Sequence, residues 1–319
     1  MAATSKIYRR MQIAAKLETT EGTAISLAAA DAKIRASNII ITPNSTNTDR
    51  PISKSSLGDE PSIVEGESGQ IQFDVELNGS GAAGTAPDYG ILFRCNGWSE
   101  TVVAATSVAY APIHEMGTGA SQCPSMTISV FADGDEYRLA GARTKSIALN
   151  ARAGGKVMLT FIVEGKWATA TTTALLSPTY QTTLPLMFKG ATLSINSVTS
   201  LVVSELSLES GTVTELREDG ADATGFRSLA LVDRAVRGRI VAEKGPFSEI
   251  DFFALAKNGT LMAFSATFGA TAGNICTITA PRAQADFPAI QRLGGRIGQS
   301  VPLKFAKNSG GDELVITYT

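Results

Sequence analysis

The sequence predicts a mainly β protein of two tandem β domains, each carrying one packed α-helix. Three observations predict it. Ile71, Phe73, Val75 and Leu77 alternate with Gln72, Asp74 and Glu76, which is the period of a half-buried strand. Asp133-Gly134 and Gly154-Gly155 sit between alternating runs as hairpin signals. The order strand, polar excursion, strand, helix, strands then occurs a second time, which points to an internal duplication.

In chain order, Met11, Ile13, Ala15 and Leu17 alternate and predict a strand or extended arm, broken at Thr19-Thr20-Glu21-Gly22. Ile39-Ile40-Ile41 predicts a short strand, and residues 44–62 a long polar surface loop. Asp49, Arg50, Asp59 and Glu60 lie in that loop, where they either reach a neighbouring subunit or form an ordinary solvated face. After the strand at 71–77, Gly79 to Gly84 are rich in glycine, and Pro87 opens a helix over 87–96 that stops at Asn96-Gly97. Strands are expected at 98–103, 107–113 and 126–131, with a glycine link at 117–119. Hairpins follow at 126–140 and 146–165. Residues 167–183, rich in small residues and threonine, read as a linker between domains 1–166 and 184–319.

In the second half, residues 203–209 predict a strand and 212–224 an excursion containing Glu215, Arg217 and Glu218. Gly238 to Glu243 parallels Gly69 to Asp74, and a helix over 246–259 stops at Asn258-Gly259 as the first stops at Asn96-Gly97. Residues 275–281 parallel 108–113. Val301, Leu303 and Phe305 echo Val157, Leu159 and Phe161, and Leu314, Ile316 and Tyr318 point inward from a closing strand.

The 319 residues suffice for two domains. Charged residues make up only 18%, below the usual quarter, so much of the surface is expected to be covered by partners. The formal net charge of -2 supplies no basic field to grip nucleic acid. Cys95, Cys123 and Cys276 are odd in number and far apart, which argues against a disulfide scaffold and a zinc site and for a reducing compartment. No apolar run reaches the length of a signal-peptide core or a membrane span, so the chain is expected to be made in the cytosol and to stay soluble until it assembles.

Gly79 to Gly84 satisfies G-x-G-x-x-G literally. Asp74 and Glu76 do not fit a strand buried on both faces, and residues 85–87 separate the last glycine from the helix body, so its N–H groups would miss a pyrophosphate. A flexible link of small residues is the simpler reading. His114 is the single histidine. It stands beside a proline-containing turn and Glu115, with no nucleophile that the sequence can place near it. No P-loop, G-x-S-x-G or H-E-x-x-H pattern occurs. The sequence therefore predicts no enzyme, cofactor or metal.

Residues 76–87 (ELNGSGAAGTAP) and 90–97 (GILFRCNG), with 16–24 (KLETTEGTA) near the start and 310–317 (GGDELVIT) near the end, resemble the tail tube proteins of long-tailed bacteriophages and prophages. The resemblance implies β-sandwich domains with a packed helix and extended hairpins, which combine between subunits into a continuous β-barrel around a lumen. It implies a structural virion protein whose rings stack into a hollow tube that delivers DNA. Its partners would be further copies of itself and the tape measure, tail tip and terminator proteins, with no membrane.

Six-fold rings are typical of that family, so two tube domains per chain imply a trimer with pseudo-six-fold symmetry, and one tube domain plus a decoration a hexamer. Asp74, Glu76, Asp133, Asp135 and Glu136 are candidates to face the lumen, where acidic or neutral walls let DNA slide; ordinary solvated carboxylates are the alternative. Asp49, Arg50, Asp59, Glu60, Glu215, Arg217 and Glu218 are candidates for contacts between rings or subunits. The competing function is a carbohydrate-binding or adhesin-like β-sandwich, disfavoured by an aromatic content of 7% and by the separation of Trp98 from Trp167. An enzyme with a concave polar site comes third.

Overall fold

The computed structural model describes residues 5–55, 57–113 and 123–319. His114 and the expected link at 117–119 lie outside them. The first half contributes β1 (Met11–Leu17), β2 (Ala36–Thr48), β3 (Ile63–Glu76), α1 (Gly90–Arg94), β4 (Trp98–Val103), β5 (Ser107–Pro112), β6 (Met126–Ala132), β7 (Asp135–Arg152) and β8 (Met158–Thr172). The second contributes β9 (Thr192–Ile195), β10 (Val203–Glu209), β11 (Thr212–Glu218), β12 (Phe226–Arg234), β13 (Arg237–Glu243) and α2 (Phe252–Lys257). It ends with β14 (Leu261–Thr271), β15 (Asn274–Ala285), β16 (Ala289–Leu293), β17 (Arg296–Phe305) and β18 (Val315–Tyr318). The fold is mainly β, with antiparallel pairing throughout and an open rather than closed sheet.

One run of strands, β2-β3-β8-β7-β10-β13-β17, extends to β16, which pairs with β17. A second run, β4-β5-β18-β15-β14-β9, joins the first where β15 passes from β18 to β17. Aromatic rings fill the space between the runs. Phe93 of α1 lies 4.9 Å from Tyr110 and 5.9 Å from Phe161, ring centre to ring centre, and Tyr318 lies 6.1 Å from Tyr110. Tyr89 donates to the Asn78 carbonyl at 2.7 Å, and its hydroxyl meets that of Tyr318 at 3.1 Å, so the polar tips of the cluster are paired where water is absent. The main buried core runs from Ile13 to Tyr318 through both halves, and Ala14, Ala32 and Phe131 form a second, small cluster. β18 lies between β5 of the first half and β15 of the second.

The first run contains two similar stretches. β2-β3-β8-β7 is followed by β10-β13-β17-β16, and β7 pairs with β10 through Leu149↔Leu208. Both β7–β8 and β16–β17 turn through two glycines, with Gly154 and Gly294 at positive φ. Ile71 pairs with Val163, and Ile240 with Val301. When Gly69 to Asp74 is laid on Gly238 to Glu243, Val301 therefore falls on Val163, not on Val157 as the spacing of apolar residues suggests.

Several boundaries differ from expectation. β2 runs on through Thr48 and β3 starts at Ile63, so the loop shrinks to 49–62; both strands are exposed there, and alternation carries no signal where neither face is buried. The expected excursion at 212–224 is β11 and the turn after it, paired with β12 as a separate two-stranded sheet. Residues 167–172 of the expected linker continue β8, and Leu175 and Leu176 beyond it pack against Ala14 and Phe131. α1 is shorter than 87–96 because residues 87–90 form a turn, Gly90 N–H bonding Pro87 at 2.8 Å. α2 starts only after Asp251, whose carboxylate accepts from the N–H groups of Phe253 and Ala254.

The glycine-rich stretch is not a flexible link. Gly79 N–H donates to Asn274 Oδ1 at 2.7 Å and Gly81 N–H to the Gly273 carbonyl at 2.9 Å, so the loop is clamped on the β14–β15 turn of the second half. A Cβ on Gly79 would stand 2.2 Å from the Gly273 oxygen, and one on Gly84 2.3 Å from the Ala105 nitrogen. These glycines allow backbone to touch backbone. Gly79→Ala is expected to cost about 1–3 kcal/mol in denaturant unfolding. Gly295→Ala, where a Cβ meets nothing within 4 Å, should stay within about 0.5 kcal/mol of the parent.

Candidate functional site

Cross-strand pairs share a face of a sheet, so the register defines the side of the long run that turns away from the core. It carries Thr42 and Asn44 of β2, Gln70, Gln72, Asp74 and Glu76 of β3, Thr160 and Glu164 of β8, and Ser146 and Asn150 of β7. It continues through Glu205, Ser207 and Glu209 of β10, Arg237 and Arg239 of β13, and Ser300 and Lys304 of β17.

Most charges on this face have an opposite charge beside them, although Arg237 lies opposite Lys304. Lys156 holds Glu76 at 2.7 Å, and Lys145 holds Glu164 at 2.9 Å. Arg152 and Arg239 approach Glu205 at 3.5 and 3.7 Å, and Glu209 faces Arg237 across β10–β13. Asp74 accepts from Thr160 at 2.6 Å and Asn38 at 2.8 Å. The result is a broad polar surface of alternating sign rather than an acidic or basic field.

Two edges bound the run. Among the described residues β2 pairs with β3 alone and β16 with β17 alone. The 13 residues of β2 contain no charged side chain, and from Thr42 onward all are exposed. Ile40 and Ile290 are each more than half exposed beside these edges. Natural monomers protect such edges with charge, bulges or cover; here β2 has register shifts at Ser37/Ile40 and Thr46/Asn47 and β16 carries Arg292, but among the described residues no strand covers the outer side of either.

The family model for phage tail tube protein matches residues 9–315. The chain belongs to the phage tail tube protein family. Comparison with curated proteins gives no match. The tail tube protein is a structural protein of the virion tail. Among the described residues, no three of His, Cys, Asp and Glu converge as metal ligands would. The three thiols are buried and unpaired, burial pushing that of Cys276 up to about 12. Trp98 is buried, its indole N–H donating to Asn96, so it offers no platform to a sugar.

The candidates singled out in the sequence fall into separate places. Asp74 and Glu76 lie on the polar face described above. Asp133, Asp135 and Glu136 instead form the β6–β7 hairpin tip. There Arg10 binds Asp133 at 2.6 Å, Lys6 binds Asp135, and the Ile7 N–H donates to Asp133 at 3.0 Å, strapping residues 6–10 to the tip. Glu136 is buried, accepting from Ser129 at 2.8 Å and paired with Arg138 at 2.6 Å. Asp49, Arg50, Asp59 and Glu60 sit at the far end of the projecting β2–β3 hairpin, Glu60 held by Lys54 at 2.5 Å. Glu215 and Glu218 are exposed on β11, and Arg217 reaches Glu21 at 3.0 Å.

Sequence reasoning missed the role of Glu18 and Glu21 within the 16–24 motif. Glu18 accepts from Gly22 N–H at 2.8 Å, Ser125 at 2.5 Å, Thr127 at 3.0 Å and Gly141 N–H at 2.8 Å. Glu21 accepts from Arg143 and Ser228, both at 2.8 Å. Arg143 is itself buried, donating also to the carbonyls of Cys123 and Leu229. Lys166 and Asp222 add a second pair at 2.5 Å. This network docks the β11–β12 sheet on β7 and β8. The legible signal was the pair of carboxylates in a turn; their partners lie more than a hundred residues away.

Burial pushes the Glu21 carboxyl up, but hydrogen bonds from Arg143 and Ser228, with the charges of Arg143 and Arg217, outweigh it and hold the group below the usual carboxylate range. Burial likewise opposes, and Lys166 and Thr224 overcome it, at Asp222. A depressed folded value contributes stability above the ordinary carboxylate pKa and loses it as pH falls through the folded value. The β11–β12 sheet is therefore expected to loosen below about pH 4, read as amide exchange rising in 212–234 before it rises in β3 and β8. Glu21→Gln should cost about 1–3 kcal/mol and remove much of that pH dependence.

Proposed function

We propose that this tail tube protein carries two tube-like units, 1–166 and 184–319, joined through 167–183. Three chains then close a ring of pseudo-six-fold symmetry. The carrying observation is that β2-β3-β8-β7 and β10-β13-β17-β16 follow one another edge to edge in one chain, an arrangement that rotation can continue from chain to chain. Rings stack into the hollow tail tube through which DNA passes, and the polar face lines the lumen, with Asp74 and Glu76 among its wall residues. Its mostly paired charges support this placement, because a wall without a basic field does not adsorb phosphates by counterion release.

The projecting hairpin with Asp49, Arg50, Asp59 and Glu60, and β11 with Glu215, Arg217 and Glu218, are assigned to contacts between rings or subunits. Asp133 and Asp135 are assigned to holding the N-terminal arm, and Glu136 to pairing with Arg138 behind the tip. Tape measure, tail tip and terminator proteins are the further partners, and the chain resides in the host cytoplasm before assembly.

Electron microscopy of the purified protein over a range of concentrations tests the reading. Hollow rings or tubes with three-fold end-on averages are expected. Six equivalent subunits overturn the two-unit assignment, and compact monomers at every concentration overturn the ring. For the lumen, Asp74→Lys with Glu76→Lys should leave folding and tube formation intact and lower infectivity. Normal infectivity removes those two residues from the wall.

A further inference from the structure

We infer that β16 of one chain pairs antiparallel with β2 of the next, with Gln291 opposite Asn44 and Leu293 opposite Thr42. The inference rests on the ring reading above and deepens it, because it names the two edges that meet and their register.

A junction of this kind is already present inside the chain. β7, the last strand of the first four, pairs with β10, the first of the second four, through Ala148↔Glu209, Leu149↔Leu208 and Asn150↔Ser207. Each of these strands has a counterpart at a free edge. β10 lies on β13 with Ser207↔Arg239 and Leu208↔Gly238. β2 lies on β3 with Thr42↔Gln70 and Pro43↔Gly69. Gly69-Gln70 corresponds to Gly238-Arg239, so Thr42, Pro43 and Asn44 stand where Ser207, Leu208 and Glu209 stand. β7 lies on β8 with Ala148↔Thr160 and Asn150↔Met158. β16 lies on β17 with Gln291↔Gly298 and Leu293↔Arg296. With Val301 falling on Val163, Gln291 and Leu293 stand where Ala148 and Asn150 stand. Carrying the internal pairs over gives the stated register.

Three further observations favour it. The eight strands of the run alternate in direction, so β2 and β16 point opposite ways; rotation about an axis then brings β16 beside the next β2 in the antiparallel sense with no inversion of the chain. The start of β2 is already covered, Tyr8 donating to the Ile39 carbonyl at 3.0 Å, and the uncovered part begins near Thr42, where the register needs it. The exposed Ile290 and Ile297 at the β16–β17 end, 53% and 63% exposed, would then gain cover from the neighbouring hairpin.

The test is disulfide trapping in the full chain carrying both Asn44→Cys and Gln291→Cys. Both sites are exposed, and the native thiols are buried. Under mild oxidation of the assembled protein, a non-reducing gel should show dimers and trimers, the trimer the largest species, collapsing to monomer on reduction, while either single variant stays monomeric. If microscopy shows rings or tubes and the double variant stays monomeric, the junction is wrong and the ring stands. If Gln291→Cys traps Thr48→Cys and not Asn44→Cys, the register is wrong. If the parent protein forms no ring at any concentration, the ring reading fails and the junction with it.

Discussion

Every strand at the rim of a sheet exposes backbone donors and acceptors that demand a partner, and the architecture of this protein follows from how it meets that demand. Inside the chain it is met by joining the halves. β7 pairs with β10 in one run of strands, and β18 is inserted between β5 and β15 in the other. These junctions make one 16-stranded sheet and one main core out of two similar sets of elements. At the two ends of the long run the edges of β2 and β16 remain. Under the ring reading proposed above, these edges are the means of assembly rather than a hazard, because the next copy would supply the missing strand.

The halves are also welded where no strand pairing occurs. Gly79 and Gly81 bring backbone against the β14–β15 turn closely enough that no side chain fits between, and Gly84 does the same against the β4–β5 turn. On the other side, Glu21, Arg143 and Lys166 hold the β11–β12 sheet through charge-assisted hydrogen bonds, while Glu18 ties its own turn to β6 and β7. The first device works by removing atoms and the second by pairing buried charge with several donors.

The outward face of the long run carries both carboxylates and cations, several within reach of one another, while Arg237 lies opposite Lys304. A net charge near zero over the face avoids two failures at once. Lysine-rich walls would retain DNA through counterion release, and unpaired carboxylates at this density would repel one another across strands.

The amino-acid sequence alone determined the β class, the alternation at 71–77 with Ile71, Phe73, Val75 and Leu77 buried, the hairpins at Asp133-Gly134 and Gly154-Gly155, and both helices to within a turn or two. These depend on neighbours within a few residues, and the family resemblance in 76–97 lay in the same local stretches. Tertiary structure decided the rest. β2 and β3 extend into residues that carry no apolar period, since two exposed strands can pair without burying a face. Gly79 to Gly84 became a contact because the β14–β15 turn, nearly two hundred residues on, arrives there. Glu136 is buried with Arg138 rather than solvated at a tip. Edge pairing and charge pairing act between residues far apart in the chain, and no local period records which distant strand or ion will come to lie alongside.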